Sequence, residues 1–318
     1  MKAYLLRRFI GLFPVLFISS FLIFLIIHLI PGDPAVLLVP EVPPPTKEDI
    51  DAMRALYGFD KPILEQYVIW LVNVLKGDLG QSISKPSFSV FELISSKLWV
   101  TMHVALAAFI VSILISVPLG LRMGLNPEGF LAKKFLGFYT GIGFAIPSFW
   151  LGILLILLFS VFLGLFPTSG FKSLTDGPLI SLKYLFLPAL CGGIPGSVIY
   201  TNFIAASVKE IRSKEYITFA IAKGLPYSLV ILKHLLKNAL IPVVTVAAAT
   251  LGHTVAGAVI TEKVFGIPGI GRLLVDAITA RDYAVIQANF MVIIIFVMFA
   301  NLVADILYGW LDPRIRLD

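Results

Sequence analysis

Six long apolar runs constrain the fold of this chain more than any other feature. A helix of about twenty apolar residues crosses the hydrocarbon core of a bilayer. Runs of that length or more occupy residues 9–30, 98–121, 135–164, 184–208, 238–261 and 283–310. Only 14% of the residues are charged, against roughly a quarter in a typical soluble domain. The sequence therefore predicts an all-α membrane protein with six transmembrane helices rather than a soluble enzyme.

The third run needs a separate argument, because its charge-free stretch continues from Phe135 to Phe171. A single straight helix of that length would extend about 55 Å, whereas the hydrocarbon core is about 30 Å thick. We therefore end the third span near Gly164 and expect a kink at Pro147, since proline removes a helical hydrogen bond. The residues after Gly164 are expected to form an outer loop with a re-entrant or interfacial start.

The only sizeable polar region of the sequence lies between the first and second spans, and its acidic residues outnumber its basic ones. It begins with a proline-rich linker, after which Thr46 is expected to cap a short helix at 49–57, with a second short helix at 62–75. This composition differs from that of a basic cytoplasmic loop, so we predict a small extracytoplasmic helical cap. The chain then divides into the N-terminal segment with the first span (1–30), the cap (31–97) and a core of five spans (98–318).

The placement of basic residues sets the expected orientation. Lys2, Arg7 and Arg8 precede the first span, and Arg314 and Arg316 follow the sixth. Because positively charged flanks stay in the cytoplasm, we expect both termini inside and a multi-pass location in the cytoplasmic (inner) membrane. The formal net charge of +6 has the same explanation. The basic residues lie between apolar runs rather than along an aromatic-rich stripe, which argues against nucleic acid as a partner.

Residues 209–237, between the fourth and fifth spans, carry the most informative local pattern. Good helix formers begin at Glu215, and Gly224 followed by Pro226 ends that helix. A second helical pattern starts at Tyr227 and continues into the fifth span. Two helices joined by a tight turn would form a knob that protrudes from the membrane and suits a groove on a cytoplasmic partner. The alternative is an amphipathic helix that lies flat on anionic lipid.

Several kinds of chemistry lack a sequence signature. The chain contains no phosphate-binding G-x-x-x-x-G-K-[ST] pattern, and its glycine clusters at 141–143 and 266–271 are interpreted as turns or helix contacts. Cys191 is the only cysteine, which excludes an internal disulfide and a cysteine metal cluster. The four histidines lack metal-ligand spacing, and no nucleophile and base are suitably arranged. We therefore predict no catalytic residue, no metal site and no cofactor in this chain.

Five polar residues inside the predicted spans are candidates for a transport pathway: His103, Asn202, His253, Asn301 and Asp305. Each histidine either hydrogen-bonds within the helix bundle or contacts substrate, and the first interpretation is the simpler one. An acidic residue within a span is costly unless it is paired or hydrated. Asp305 therefore either lies in the pathway or pairs with a terminal arginine at the cytoplasmic interface, and we favour the second because it is close to the end of its span.

Motifs along the whole chain resemble those of ABC importer permeases, in the branch that serves dipeptides, oligopeptides and nickel. They include HLIPGDPA, KGDLGQSI, PSFWLGILLILLF, EYITFAIAKG with LKNALIPV, and VFGIPGIGRLLVDAITARDYAVIQ. The resemblance implies a type I ABC importer permease fold with a long extracytoplasmic loop after its first helix. It also implies that Glu215, Ala220, Ala222 and Gly224 couple the chain to an ATPase. One departure from the family pattern is Pro226, where a polar residue is common.

The same resemblance implies a set of partners: a second homologous permease, two cytoplasmic ATPase subunits, an extracytoplasmic substrate-binding protein and the lipid bilayer. ATP and Mg²⁺ would then bind to the partner subunits, and this chain would not be an enzyme. The expected function is to form the path by which peptides cross the membrane. Nickel, glutathione or oligosaccharide are alternative substrates of the same machinery. A stand-alone secondary transporter is a further alternative, but the sequence shows no clear internal repeat to support it.

Overall fold

A computed structural model of the chain describes residues 2–28, 35, 36, 39, 46–129 and 134–311. This described part is almost entirely helical, with an isolated bridge between Gln81 and Ser89. π-Helical stretches at Ile156–Phe162 and Val230–Leu236 extend α6 and join α9 to α10. The helices are α1 (Lys2–His28), α2 (Lys47–Tyr57), α3 (Ile63–Leu75), α4 (Val90–Leu125), α5 (Leu136–Ala145), α6 (Ser148–Leu155), α7 (Pro178–Arg212), α8 (Glu215–Ala222), α9 (Tyr227–Leu229), α10 (Lys237–Val264), α11 (Ile270–Thr279) and α12 (Tyr283–Leu311).

Within the described residues, five helical segments are long and apolar enough to cross a membrane, and α5 with the extended α6 supplies a sixth candidate. The prediction of six spans is confirmed in that sense, but the expected simple kink in the third span is wrong. Its two pieces, Leu136–Gly143 and Ser148–Phe162, meet at an angle of 102°. Ile146 is extended, with φ −84° and ψ 117°, and Pro147 precedes α6. Because proline disfavours helical backbone in the residue before it, Pro147 breaks this span instead of bending it.

The central pair of the bundle, α4 and α7, extends beyond the apolar runs. The two helices have 36 and 35 residues, whereas the sequence predicts spans at 98–121 and 184–208. Ser89 and Glu92 exchange hydrogen bonds of 3.1 and 3.2 Å that cap the start of α4. Pro178 occupies the first turn of α7, where its missing N–H costs nothing. Polar and proline starts therefore let both helices begin several residues before their apolar runs.

Glycines bring α4 and α7 close together. A Cβ atom on Gly124 would lie 2.5 Å from Cβ of Val208 and 2.8 Å from the backbone oxygen of Ala205. Ser112 Oγ donates a 2.7 Å hydrogen bond to the backbone oxygen of Gly193. Since small residues let helix backbones approach each other in a membrane, these positions set the spacing of the central pair.

Buried apolar clusters define two ends of the bundle. At one end, side chains from α1, α4, α11 and α12 pack around Ile94, Ile270 and Ile286. At the other end, α7, α8 and α10 pack around Ile204 and Ile217, together with the last turns of α4. Following the predicted orientation, we call the first the outer end and the second the inner end.

The two short helices predicted in the region after the first span are present as α2 and α3. Thr46 caps α2, as predicted: its hydroxyl accepts a 3.2 Å hydrogen bond from Asp49 N, and its own N–H donates to the Asp49 carboxylate at 2.9 Å. Hydrogen bonds from the Thr46 hydroxyl and backbone hold the pKa of Asp49 below its ordinary value. Gly58, with a φ of 72°, ends the helix.

Candidate functional site

A knob stands at the inner end of the bundle, between α7 and α10. We define it as residues 213–236, which include α8, α9 and the π-helical stretch. Two residues, Ser213 and Lys214, separate α7 from α8. After α8, a turn that ends at Pro226 precedes α9, and helical backbone continues without a break through Val230–Leu236 into α10. The predicted pair of helices around a tight turn is therefore present.

Gly224 makes the turn at the tip of the knob. Its φ of +76° is a left-handed conformation that is unfavourable for residues with a Cβ atom. Gly224 N donates to Ile221 O at 2.9 Å, and Leu225 N donates to Ala220 O at 3.4 Å. This Schellman pattern satisfies the last carbonyl groups of α8. A Cβ at Gly224 would meet no atom within 4 Å, so backbone conformation, not crowding, requires the glycine.

One side of α8 packs against the rest of the bundle. Ile217 is 3% exposed and Ala220 is 7% exposed, and both belong to the same buried cluster as Leu235. The Arg212 guanidinium, just before the knob, donates a hydrogen bond to the backbone oxygen of Leu125 at the end of α4. These contacts hold the knob against α4 and the start of α10, so it is a packed extension of the bundle.

The opposite side of α8 is open. At about 100° per residue, Glu215, Phe219 and Ala222 point away from the packed side, and all three are exposed. The four residues that the resemblance links to coupling therefore occupy three different environments. Glu215 and Ala222 lie on the open face, Ala220 lies on the packed side, and Gly224 forms the turn.

Apolar side chains cover much of the open surface of the knob. Basic side chains stand beside them, since Lys214, Lys223 and Lys233 are all exposed. A cluster of exposed apolar groups with a charged rim is typical of a protein-binding surface. The large exposed apolar residues are Tyr216, Phe219, Ile221, Leu225, Tyr227, Leu229 and Leu232.

Two of the predicted pathway residues lie at different depths of the bundle. His103 is half-buried, and its Nδ1 lies 2.8 Å from the backbone oxygen of Trp99 in the same helix. Asn202 is half-buried in α7 and also hydrogen-bonds back to its own helix. Its neighbour Thr201 lies against Gly120 of α4, which is seventeen residues from His103, or about 25 Å along the helix. The structure therefore does not bring His103 and Asn202 into one site.

The other three candidates lie on α10 and α12. His253 belongs to α10, and its side chain falls outside the described residues. Asn301 is exposed and Asp305 is half-buried, one turn apart near the inner end of α12. The terminal arginines expected to pair with Asp305 also lie outside the described part of the chain. Both interpretations of Asp305 thus stay predictions.

A cavity of about 370 Å³ lies between α4, α6, α7 and α10. Its lining is mostly small and apolar, and the Tyr200 and Thr250 hydroxyl oxygens are 2.6 Å apart in its wall. Among the described residues that line it, none is charged and none is a predicted pathway residue. The cavity therefore offers hydrogen bonds without charge. Its hydroxyl groups belong to Ser112, Ser148, Tyr200, Thr250 and Thr261.

Two family models match the chain and together cover nearly all of it. The one described as the inner membrane component of binding-protein-dependent transport systems matches residues 116–317. The one described as the N-terminal part of such a membrane component matches residues 1–114.

The chain belongs to this family of transport permeases.

Curated relatives match the permease along its full length. It is 36% identical to the oligopeptide transport system permease protein AppB of Bacillus subtilis (strain 168), over 99% of this chain and 100% of that protein. It is also 36% identical to a putative peptide transport system permease protein of Brucella abortus (strain 2308), over 100% of both chains. The glutathione transport system permease protein GsiC of Escherichia coli (strain K12) is 34% identical, over 99% of both. The family predicted from the motifs is thus confirmed.

A solved structure supports the fold of the permease. A chain of the inward-facing MetNI methionine ABC transporter aligns with a TM-score of 0.57 and 17% identity, covering 70% of this chain and 97% of that chain. The predicted type I ABC importer permease fold is therefore confirmed. Family membership also makes the chain a multi-pass inner-membrane component that works with ATPase and binding-protein partners.

A buried carboxyl group at the outer end of the permease was missed by sequence reasoning. Glu262 is 0% exposed and lies near the end of α10. Its Oε1 accepts a 2.5 Å hydrogen bond from Thr101 Oγ1 of α4, and its Oε2 accepts a 3.0 Å hydrogen bond from Arg272 N of α11. Thr101 Oγ1 in turn accepts from Ile270 N at 2.9 Å. Glu262 and Thr101 therefore cap the free N–H groups at the start of α11 and join three helices.

This carboxyl group explains one glycine of the cluster at 266–271, Gly269. A Cβ atom on Gly269 would overlap the Glu262 carboxyl group, and one on Gly271 would overlap the backbone at Val259. The predicted helix contact is present, and the buried glutamate is the group it accommodates. The available sequence signal was a glutamate placed directly after a span of small residues and just before this cluster.

A second buried carboxylate, Asp282, connects the segment before α4 to α12. Asp282 Oδ2 accepts hydrogen bonds from Ser82 Oγ at 2.5 Å, Ser84 N at 3.0 Å and Ser84 Oγ at 2.8 Å. Its backbone oxygen accepts from Ile286 N at 2.9 Å, which starts α12. Together with the Glu262 contacts, this carboxylate ties the outer ends of α4, α10, α11 and α12 to each other.

We expect Glu262→Ala to destabilise the permease by about 2 kcal/mol, because the half-buried N–H of Arg272 would lose its acceptor and the Thr101 hydroxyl would keep only its 3.4 Å contact with the Lys97 backbone oxygen. The matched control is Asp276→Ala in α11, whose exposed carboxylate pairs with Lys263 at 3.0 Å. Exposed pairs contribute at most about 1 kcal/mol. Thermal unfolding of the detergent-purified permease measures both variants. Equal melting temperatures for the two variants would contradict the role assigned to Glu262.

Proposed function

We propose that the permease forms, with a second homologous permease, the path by which peptides cross the inner membrane in an ATP-driven importer. The names of two full-length relatives, an oligopeptide permease and a putative peptide permease, support this substrate class. In this proposal the permease supplies the path and the mechanical link, and ATP with Mg²⁺ binds to the partner subunits.

The knob is the single observation that carries the coupling half of the proposal. Its open face is apolar with a basic rim, while its other face is packed on α10 and the end of α4. We propose that the open face, with Glu215, Phe219 and Ala222, sits in a groove of a cytoplasmic ATPase subunit. Because the helical backbone runs unbroken from α9 into α10, closure of two ATPase subunits would displace the knob and the inner end of α10 together.

The orientation follows from the same proposal. If the knob contacts a cytoplasmic ATPase, both termini lie in the cytoplasm and the outer end faces the binding protein. The basic residues at the start and end of the chain support this orientation. The five polar candidates, His103, Asn202, His253, Asn301 and Asp305, stay proposed pathway residues.

Glutathione is the second candidate substrate, because the full-length relative GsiC is named as a glutathione permease. It would use the same path and the same partners. The two candidates differ only in what the binding protein delivers, so one transport assay can compare them.

Reconstitution of the full transporter in liposomes tests the proposal. We expect a labelled oligopeptide to enter only when the binding protein, both ATPase subunits and hydrolysable ATP are present. Non-hydrolysable ATP serves as the matched control, since it binds without driving repeated cycles. Uptake that continues without the ATPase subunits would refute coupling through the knob. Uptake of glutathione in place of oligopeptides would leave the proposed coupling unchanged and would make glutathione the substrate.

A further inference from the structure

The short helix α3 has an unusual distribution of exposed side chains. It contains 13 residues, of which Glu65 is the only charged one. Tyr67 is buried and Trp70 is half-buried, so this side faces the protein. Four apolar residues fall within a sector of about 80° at 100° per residue. They are exposed, and they are Leu64, Val68, Val72 and Leu75.

The protein-facing side of α3 contacts α1 at a defined depth. Tyr67 Oη lies 2.8 Å from Ser20 Oγ and 3.4 Å from the backbone oxygen of Phe17. The Tyr67 ring is also 5.1 Å from the Phe21 ring, centre to centre. A second contact lies at the end of α1, where Gln66 Oε1 of α3 is 3.1 Å from His28 Nε2. Gln66 and Tyr67 therefore hold the first turns of α3 beside α1, between the levels of Ser20 and His28.

These two levels lie on either side of the outer end of the α1 span. The candidate span runs from Phe9 to Ile26, so Ser20 lies six residues, or about 9 Å, inside its outer end at 1.5 Å per residue. His28 lies two residues beyond that end. A helix that contacts α1 between these two levels stands at the outer boundary of the hydrocarbon core, not in the water above it.

We propose that α3 is an interfacial membrane helix whose Leu64, Val68, Val72 and Leu75 side chains contact the acyl chains of the outer leaflet. The exposed apolar surface of α1, which includes Ile18 and Leu22, supplies the neighbouring lipid-facing surface at the same depth. The sequence predicts that this helix belongs to a polar extracytoplasmic cap. In this proposal the helix lies at the outer boundary of the membrane instead.

The polar groups of α3 fit an interfacial position. Glu65 and Asn73 are exposed on the next sector of the helix, with Ile69 between them. Glu65 pairs with Lys61 at 2.9 Å in the segment before the helix, and Lys76 follows its last turn. Long lysine side chains at both ends can reach the headgroups while the apolar sector stays below. Half-buried Trp70 also suits this boundary, where tryptophan is enriched.

Spin labelling of the assembled transporter tests this placement. A nitroxide is attached to Val68→Cys or Asn73→Cys in a Cys191→Ala background, with partner chains that have no accessible cysteine. The samples are phosphatidylcholine and phosphatidylglycerol vesicles, and the reference is Ile18→Cys in the α1 span. We expect the Val68 label to collide several-fold more with oxygen than with a water-soluble nickel chelate, as at Ile18, and the Asn73 label to show the reverse.

The other outcomes would overturn the proposal. A Val68 label that favours the nickel chelate as strongly as the Asn73 label would place α3 in water. An immobile Val68 label that is shielded from both oxygen and nickel would mean that a protein partner, such as the second permease or the binding protein, covers this face. Neither result depends on the transported substrate, so the test is independent of the proposed function.

Discussion

Replacing Gly224 with aspartate is expected to lower ATP-driven uptake about tenfold or more, equivalent to about 1.4 kcal/mol of lost interaction. A Cβ atom at this position would meet no atom within 4 Å, so we expect the aspartate side chain to project from the tip of the knob. In the proposed complex that space lies next to the ATPase groove, where a carboxylate would disturb an apolar contact. The left-handed backbone adds a cost of about 1–2 kcal/mol, which is small beside the stability of a folded domain.

The matched control is Gly77→Asp at the outer end. Gly77 has a φ of +85°, and a Cβ there would also meet no atom within 4 Å. The control therefore carries the same charge and a similar backbone cost far from the knob. We expect near-normal uptake from Gly77→Asp and normal membrane yield from both variants. The measurements are oligopeptide uptake and transport-stimulated ATP hydrolysis in liposomes.

Two results would contradict this prediction in different ways. Full uptake by Gly224→Asp would mean that the tip of the knob is not part of the coupling contact. An equal loss in Gly224→Asp and Gly77→Asp would assign the effect to left-handed backbone strain and not to the position of the side chain.

Replacing Gly124 with valine is expected to destabilise the bundle by about 3 kcal/mol and to reduce the folded yield. A Cβ there would lie 2.5 Å from Cβ of Val208 and 2.8 Å from the backbone oxygen of Ala205. The second contact involves backbone, so a change of rotamer cannot relieve it, and α4 must move away from α7. These helices form the central pair, and Val208 belongs to the cluster that supports the knob.

The control for this prediction is Gly11→Val in α1. Gly11 is also helical, and a Cβ there would meet no atom within 4 Å. Both variants change the helix propensity equally, so a difference between them reports packing alone. Thermal unfolding of the purified permease should show a lower melting temperature for Gly124→Val only. Similar melting temperatures for the two variants would mean that the α4–α7 contact is not as tight as the structure indicates.

Features encoded by local pattern could be predicted from the sequence. Apolar runs gave the spans, because the membrane requires about twenty such residues in every crossing helix. The capping residue Thr46 and the turn at Gly224 could also be predicted, because both depend on hydrogen bonds between residues that are close in sequence. The knob was predictable for the same reason.

Features that depend on distant contacts could not be predicted. Thr101 and Glu262 are 161 residues apart in sequence, and no local pattern shows that they meet. The depth of α3 depends on the contact between Tyr67 and Ser20, 47 residues apart. Pro147 indicated a bend, but the 102° break depends on how α5 and α6 each pack on α7. For similar reasons the polarity of His103 and Asn202 could not reveal that they lie at different depths.

The π-helical stretch Val230–Leu236 has a consequence for how the knob is aimed. A π-helical turn holds more residues than an α-helical turn, and each residue of an α-helix turns the chain by about 100°. The direction in which Phe219 points relative to the fifth span therefore depends on the number of residues in this stretch. A one-residue insertion or deletion there would change the direction in which the tip of the knob points relative to the fifth span. The side chains on the tip would stay the same. If the knob binds an ATPase subunit as proposed, the number of residues in this stretch sets the direction from which Phe219 meets that subunit.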